Sequence, residues 1–128
     1  MLIEEYFRHI GQAIEESCII VDSQILNDKR SLYIGFIEGS LTFLDGSSLR
    51  FMEFVNLKAE TKRYKYSYHY QDTKDRLVFR YDMAPHHQEV RTFPHHKHAA
   101  NGEAVESTAP SLADVLEEIE QIVVYHHA

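Results

Sequence analysis

The sequence predicts an α+β protein: an antiparallel sheet of about six meandering strands, with an N-terminal and a C-terminal helix packed on one face. Three observations predict it. Apolar residues recur at three- and four-residue spacing at the two ends of the chain. Between them the apolar positions alternate with period two. No helical pattern separates the strands, and parallel strands would need a crossover there.

The first helix rests on Leu2, Ile3, Tyr6, Phe7, Ile10 and Ile14. From Cys18 the period changes. Ile19-Ile20-Val21, and then Leu32-Tyr33-Ile34 with Phe36-Ile37, read as strands broken by Asn27-Asp28-Lys29-Arg30. Leu41 and Phe43 alternate up to Asp45-Gly46, a dipeptide that accepts positive φ and marks a hairpin turn. Leu49, Phe51, Phe54 and Val55 form the return strand.

The next hairpin is the clearest. Tyr64, Tyr66, Tyr68 and Tyr70 alternate with Arg63, Lys65, Ser67, His69 and Gln71. Leu77, Phe79 and Tyr81 alternate with Arg76, Val78, Arg80 and Asp82. A turn centred on Thr73-Lys74 places Tyr70 opposite Leu77, Tyr68 opposite Phe79 and Tyr66 opposite Tyr81. The tyrosine face then belongs to the core, and the other face gathers Arg63, Lys65, His69, Arg76, Arg80 and Asp82. A histidine loop and a polar stretch, Asn101 to Thr108, lead to the second helix. Ser111 caps it with Asp114 three residues on, and Leu112, Val115, Leu116, Ile119, Ile122 and Val123 give its buried stripe.

A length of 128 residues fits one domain, 1–128. A single Cys18, in an apolar run that suits a buried thiol, points to a reducing cytoplasm. The acidic start Met1-Leu2-Ile3-Glu4-Glu5 is unlike a signal peptide, and no apolar stretch is long enough for a membrane span. A soluble cytoplasmic protein is therefore expected, with no membrane partner. The net charge of −7 argues against indiscriminate nucleic-acid binding. Yet the segment from Lys62 to His98 carries eight Lys and Arg against four acids, and six of the nine histidines. The basic part of the chain is its histidine part.

Five histidines lie within 86–98, in proline-anchored doublets with no packing use. Imidazole exchanges protons near neutral pH, and Arg80 and Lys97 suit a phosphate. Two histidines and a cation are the minimum for cleaving RNA without a metal or other cofactor: one base, one acid, one charge on the phosphorane. Arg80, Asp82, His86, His87, His96 and His98 form the candidate catalytic set. Lys65, His69 and Lys97 are the candidate substrate contacts. If 93–98 is extended, His96 and His98 share a face while His95 and Lys97 take the other, which shifts the phosphate contact to Arg80. Two other readings compete. One is a non-enzymatic binding or regulatory module, and the other is a histidine-rich metal-binding protein. The second lacks a Cys partner and an HExxH helix. His9, His126-His127 and, taken singly, His69 also fit solvated or structural roles.

Three segments carry a resemblance: Tyr66-Ser67-Tyr68-His69-Tyr70-Gln71, Arg80-Tyr81-Asp82-Met83-Ala84-Pro85-His86-His87 and Phe93-Pro94-His95-His96-Lys97-His98. With the helix that starts at Pro110-Ser111-Leu112, they resemble the TumE family of small prokaryotic proteins over about 66–120. Met83 stands where that pattern more often has Asn, beside the turn before Pro85. The resemblance implies the toxin component of a type II toxin–antitoxin module, whose partner is an antitoxin of helix-turn-helix type. It supplies no substrate. The endoribonuclease reading rests on the histidines, with RNA as the implied ligand and an analogy to other small toxins behind it. The uncovered sheet face predicts a protein-binding or self-association surface near 62–98, where an acidic antitoxin segment would block the histidines; a homo-oligomer is the alternative use of that surface.

Overall fold

A computed structural model describes residues 1–58, 62–83, 95–101, 104–106 and 109–125, with the backbone alone at 62, 96 and 104–106. In chain order these form α1 (Ile3–Glu16), β1 (Ile20–Lys29), β2 (Ile34–Phe43), β3 (Ser48–Asn56), β4 (Lys62–Gln71), β5 (Leu77–Met83), β6 (His95–Ala99), β7 (Ala104–Glu106) and α2 (Leu112–Tyr125). The strands make one seven-stranded sheet in sequence order, each pairing antiparallel with the next. The expected α+β meander is the observed one.

Both helices cover one face. Ile10 and Ile14 of α1 and Leu112, Val115, Leu116, Ile119 and Val123 of α2 join a single core with inward residues of the sheet. Tyr66, Tyr68 and Tyr70 sit at its centre, each at most 1% exposed. The capping box forms: the Asp114 amide donates to Ser111 Oγ at 3.1 Å, and the Ser111 amide donates to Asp114 Oδ2 at 2.9 Å. A buried carboxylate, Glu53, accepts from Tyr68 Oη at 2.7 Å and from Tyr6 Oη, tying α1 to β3 and β4. Those bonds satisfy a charge that would otherwise be costly to bury.

Several expectations are corrected. Asn27-Asp28-Lys29 does not break the first strand, since these residues pair with Ile37, Phe36 and Gly35. The turn falls after them, where the Arg30 and Ser31 amides both donate to the Ile34 carbonyl. Polar residues are tolerated there because β1 is an edge strand with exposed side chains. The 72–76 turn holds one more residue than expected, with Asp75 in the left-handed region at φ 59°. That alone would invert β5. A β-bulge between Tyr70 and Gln71 adds a second offset, so Tyr70 pairs with Phe79 and Tyr68 with Tyr81. Two one-residue shifts restore the parity, and the tyrosines stay inward.

Tyr64 does not join them. A bulge between Phe54 and Val55 makes Tyr64 the extra residue, 55% exposed on the outer face. Arg63 takes the inward place instead. Its guanidinium donates to Tyr68 Oη at 2.7 Å and to the Pro110 carbonyl, over the Tyr66 ring. Cys18 is exposed, not buried, because the chain leaves α1 there and alternation gives the inward place to Ile19. The histidine loop is in part a strand, β6, and the polar stretch contains β7. No apolar alternation announces either; backbone pairing onto the free edge of β5 and then β6 forms them.

Candidate functional site

Alternation sends every second residue of the sheet to the face away from the helices, and the register lines these residues up across the strands. One row runs Ser40, Arg50, His69, Arg80, His98, each the cross-strand partner of the next on β2 to β6. The neighbouring row runs Glu38, Met52, Ser67, Asp82, His96. Residues separated by as many as 58 positions in the chain thus come to lie in one row. A groove of about 690 Å³ follows these rows, lined by Leu26, Glu38, Arg50, Ser67, His69 and Arg80 among others.

Asp82 anchors the far end. It is 4% exposed, its Oδ2 lies 2.9 Å from Arg80 Nε, and its Oδ1 lies 3.7 Å from His98 Nε2. A buried carboxylate thus lies between a guanidinium and an imidazole. His69 lies instead between two guanidinium groups, as the cross-strand partner of Arg50 and of Arg80. Partial burial, then the charges of Arg80 and Arg50, hold its pKa below the usual histidine value. It is therefore neutral at pH 7 and able to accept a proton. The row carries one imidazole on each side of Arg80, in contrasting electrostatic settings.

The other face of β6 is fastened to the core. His95 Nδ1 lies 2.9 Å from Tyr66 Oη, with the two rings stacked at 5.7 Å. Lys97 Nζ pairs with Glu118 Oε2 of α2 at 2.9 Å, and Tyr81 Oη donates to Glu118 Oε1 at 2.6 Å. These contacts follow the alternation expected for an extended 93–98. Lys97 is therefore held on the helix side, away from Arg80, while Lys65 is exposed on the outer face beyond the second row.

Of the sequence-based candidates, the fold brings together Arg80, Asp82, His98 and His69, and places His96 by register next to Asp82. His86 and His87 lie outside the described residues, in the segment between Met83 and His95, which themselves pair. Sequence reasoning missed Arg50, Glu38 and Ser67. An outward Arg between Leu49 and Phe51 looks like any solvated strand residue; only strand pairing sets it beside His69. Among the described residues no three His, Cys, Asp or Glu side chains converge as a metal ion requires, and no helix is long and apolar enough to cross a membrane.

Fold and site together define an α+β protein with an arginine- and histidine-bearing sheet face opposite its two helices. The chain belongs to the TumE family: the family model described as Toxin TumE matches residues 10–123, from within α1 to within α2. It is thus a toxin-like protein, and a toxin family implies a cognate antitoxin partner. No curated protein and no solved structure matches the chain.

Proposed function

We propose that this toxin-like protein is a metal-independent endoribonuclease acting on the sheet face opposite its two helices. The observation that carries the reading is the cross-strand row His69, Arg80, His98, with Arg50 beyond His69 and Asp82 beneath. Two strand spacings put the outer Cα atoms roughly 10 Å apart, which leaves room for a phosphodiester between the imidazoles. Neutral His69 takes the proton of the 2′-hydroxyl, whose oxygen attacks the adjacent phosphorus. His98, beside Asp82, gives a proton to the departing 5′-oxygen. Arg80 and Arg50 neutralise charge gathering on the phosphorane. The products are a 2′,3′-cyclic phosphate and a free 5′-hydroxyl, and no cofactor is consumed. His96, His86 and His87 remain in the candidate catalytic set.

An antitoxin of helix-turn-helix type would silence such a site in the cytoplasm by covering this face. The test is cleavage of single-stranded RNA by purified protein with and without EDTA. Activity should persist in EDTA, and His69→Ala or His98→Ala should each lower the rate by roughly 10²–10⁴-fold. Full activity in both folded variants, or no cleavage by the wild type, overturns the reading. Loss of activity in EDTA, restored by zinc, would transfer it to a metal centre.

A further inference from the structure

The bulge that expels Tyr64 from the core builds something on the other face. Tyr64 lies against Phe54, ring centroids 6.0 Å apart and 35° between planes, and its hydroxyl accepts a hydrogen bond from Asn56 Nδ2 at 3.2 Å. Phe36 is the cross-strand partner of Phe54 and shares its face. Phe36, Phe54 and Tyr64 thus form an aromatic strip on the side of β2, β3 and β4 away from the helices. Phe54 lies four positions beyond Arg50 on β3, roughly 13 Å along the strand. The strip and the cationic row are two ends of one surface, joined through Met52 and Ser67.

The charges say what such a surface fits. The chain is acidic overall, at −7, and on this face Asp82 pairs with Arg80. Among the described residues Arg50 and Lys65 form no ion pair, and Lys65 is the cross-strand partner of Phe54, at the edge of the strip. Aromatic rings with an unpaired cation at their edge, and a second one further along the sheet, match a chain of flat bases joined by phosphates. An acidic peptide would use the cations but not the ring faces. A duplex would hide its base faces within its own stack.

We infer that the strip of Phe36, Phe54 and Tyr64 is a stacking platform for single-stranded RNA, on which bases beyond the two that flank the scissile phosphate lie while Lys65 meets a phosphate between them. The inference rests on the ribonuclease reading and deepens it by naming the substrate class. Tyr64 is the sharpest handle because its side chain is exposed and its removal leaves the core intact.

Binding is measured with a short 2′-O-methyl oligoribonucleotide, which cannot be cleaved, as a single strand and in a duplex. The wild type should prefer the single strand. Tyr64→Ala and Phe54→Ala should each weaken binding by about 5- to 150-fold, the range that one base–aromatic stack supplies, while Tyr64→Phe should bind as the wild type does. Cleavage of a dinucleotide, too short to reach the strip, should be unchanged in Tyr64→Ala. Equal binding by wild type and Tyr64→Ala, or a preference for duplex, overturns the inference even if RNA is cleaved. Unchanged RNA binding with lost antitoxin binding would make the strip a protein surface, and also overturns it. Strip-dependent binding without cleavage upholds it and removes the nuclease reading instead.

Discussion

His69 owes its readiness as a base to its neighbours. Burial depresses its pKa first, and Arg80 and Arg50 add to the depression. Arg80→Ala or Arg50→Ala should let the value climb back toward the ordinary ~6.5, as followed by NMR titration of the imidazole. A His69 titration that moves in neither variant would remove the electrostatic basis of its role. The sign for stability follows from the same shift. The unfolded chain takes up this proton before the folded one does, so the folded state loses stability as pH falls from about 6.5 through the folded value. His95, depressed by burial and then by Arg63, pushes in the same direction. Above that window neither group contributes. Denaturant melts across that pH range should show the decline, shallower in the Arg50→Ala variant.

Packing between α1 and the sheet depends on a missing side chain. A Cβ at Gly35 would stand 2.6 Å from Ile3 Cγ1 and 2.8 Å from Phe7 Cζ, so α1 rests directly on the backbone of β2. Neither neighbour can yield without leaving its seat. Gly35→Ala should destabilise the fold by about 1–3 kcal/mol, the usual cost of overpacking, read by chemical denaturation. The rows of the candidate site lie on the opposite face, so any residual folded protein should keep its ligand affinity. Equal stability of the variant would mean that α1 is not seated as described. β6 follows another logic. It has little apolar surface, and its hold comes from ladder bonds to β5 together with the Lys97–Glu118 and Tyr66–His95 contacts. Those inward contacts orient the outward position of His98.

For the molecule as a whole, the polarity of charge matters more than its total. Most acids lie outside 62–98, and the sheet lifts Arg50 from the acidic remainder of the chain into the basic face. Association with single-stranded RNA should therefore weaken with salt. Two or three neutralised phosphates give a slope of about −1.4 to −2.1 in log affinity against log salt concentration. Arg50→Ala should flatten that slope by about 0.7, the share of one phosphate contact. A slope near zero in the wild type would leave the cationic row without an electrostatic role in binding.

The periodicities of the chain were enough to specify both helices, the capping box at Ser111, the antiparallel meander and the inward turn of Tyr66, Tyr68 and Tyr70. Burial is what periodicity encodes, and it is a local property of alternating residues. The basic, histidine-rich character of 62–98 was equally plain, and so was the family resemblance. Position across the sheet was not. Register depends on loop length and on bulges, and neither the left-handed Asp75 nor the extra residue at Tyr64 changes the apolar pattern enough to be seen. For the same reason Arg50 and Glu38 carried no sign of their place beside His69 and Met52. The row Arg50, His69, Arg80, His98 exists only because three hydrogen-bonded ladders stack in one register, a long-range pairing that no single segment can dictate.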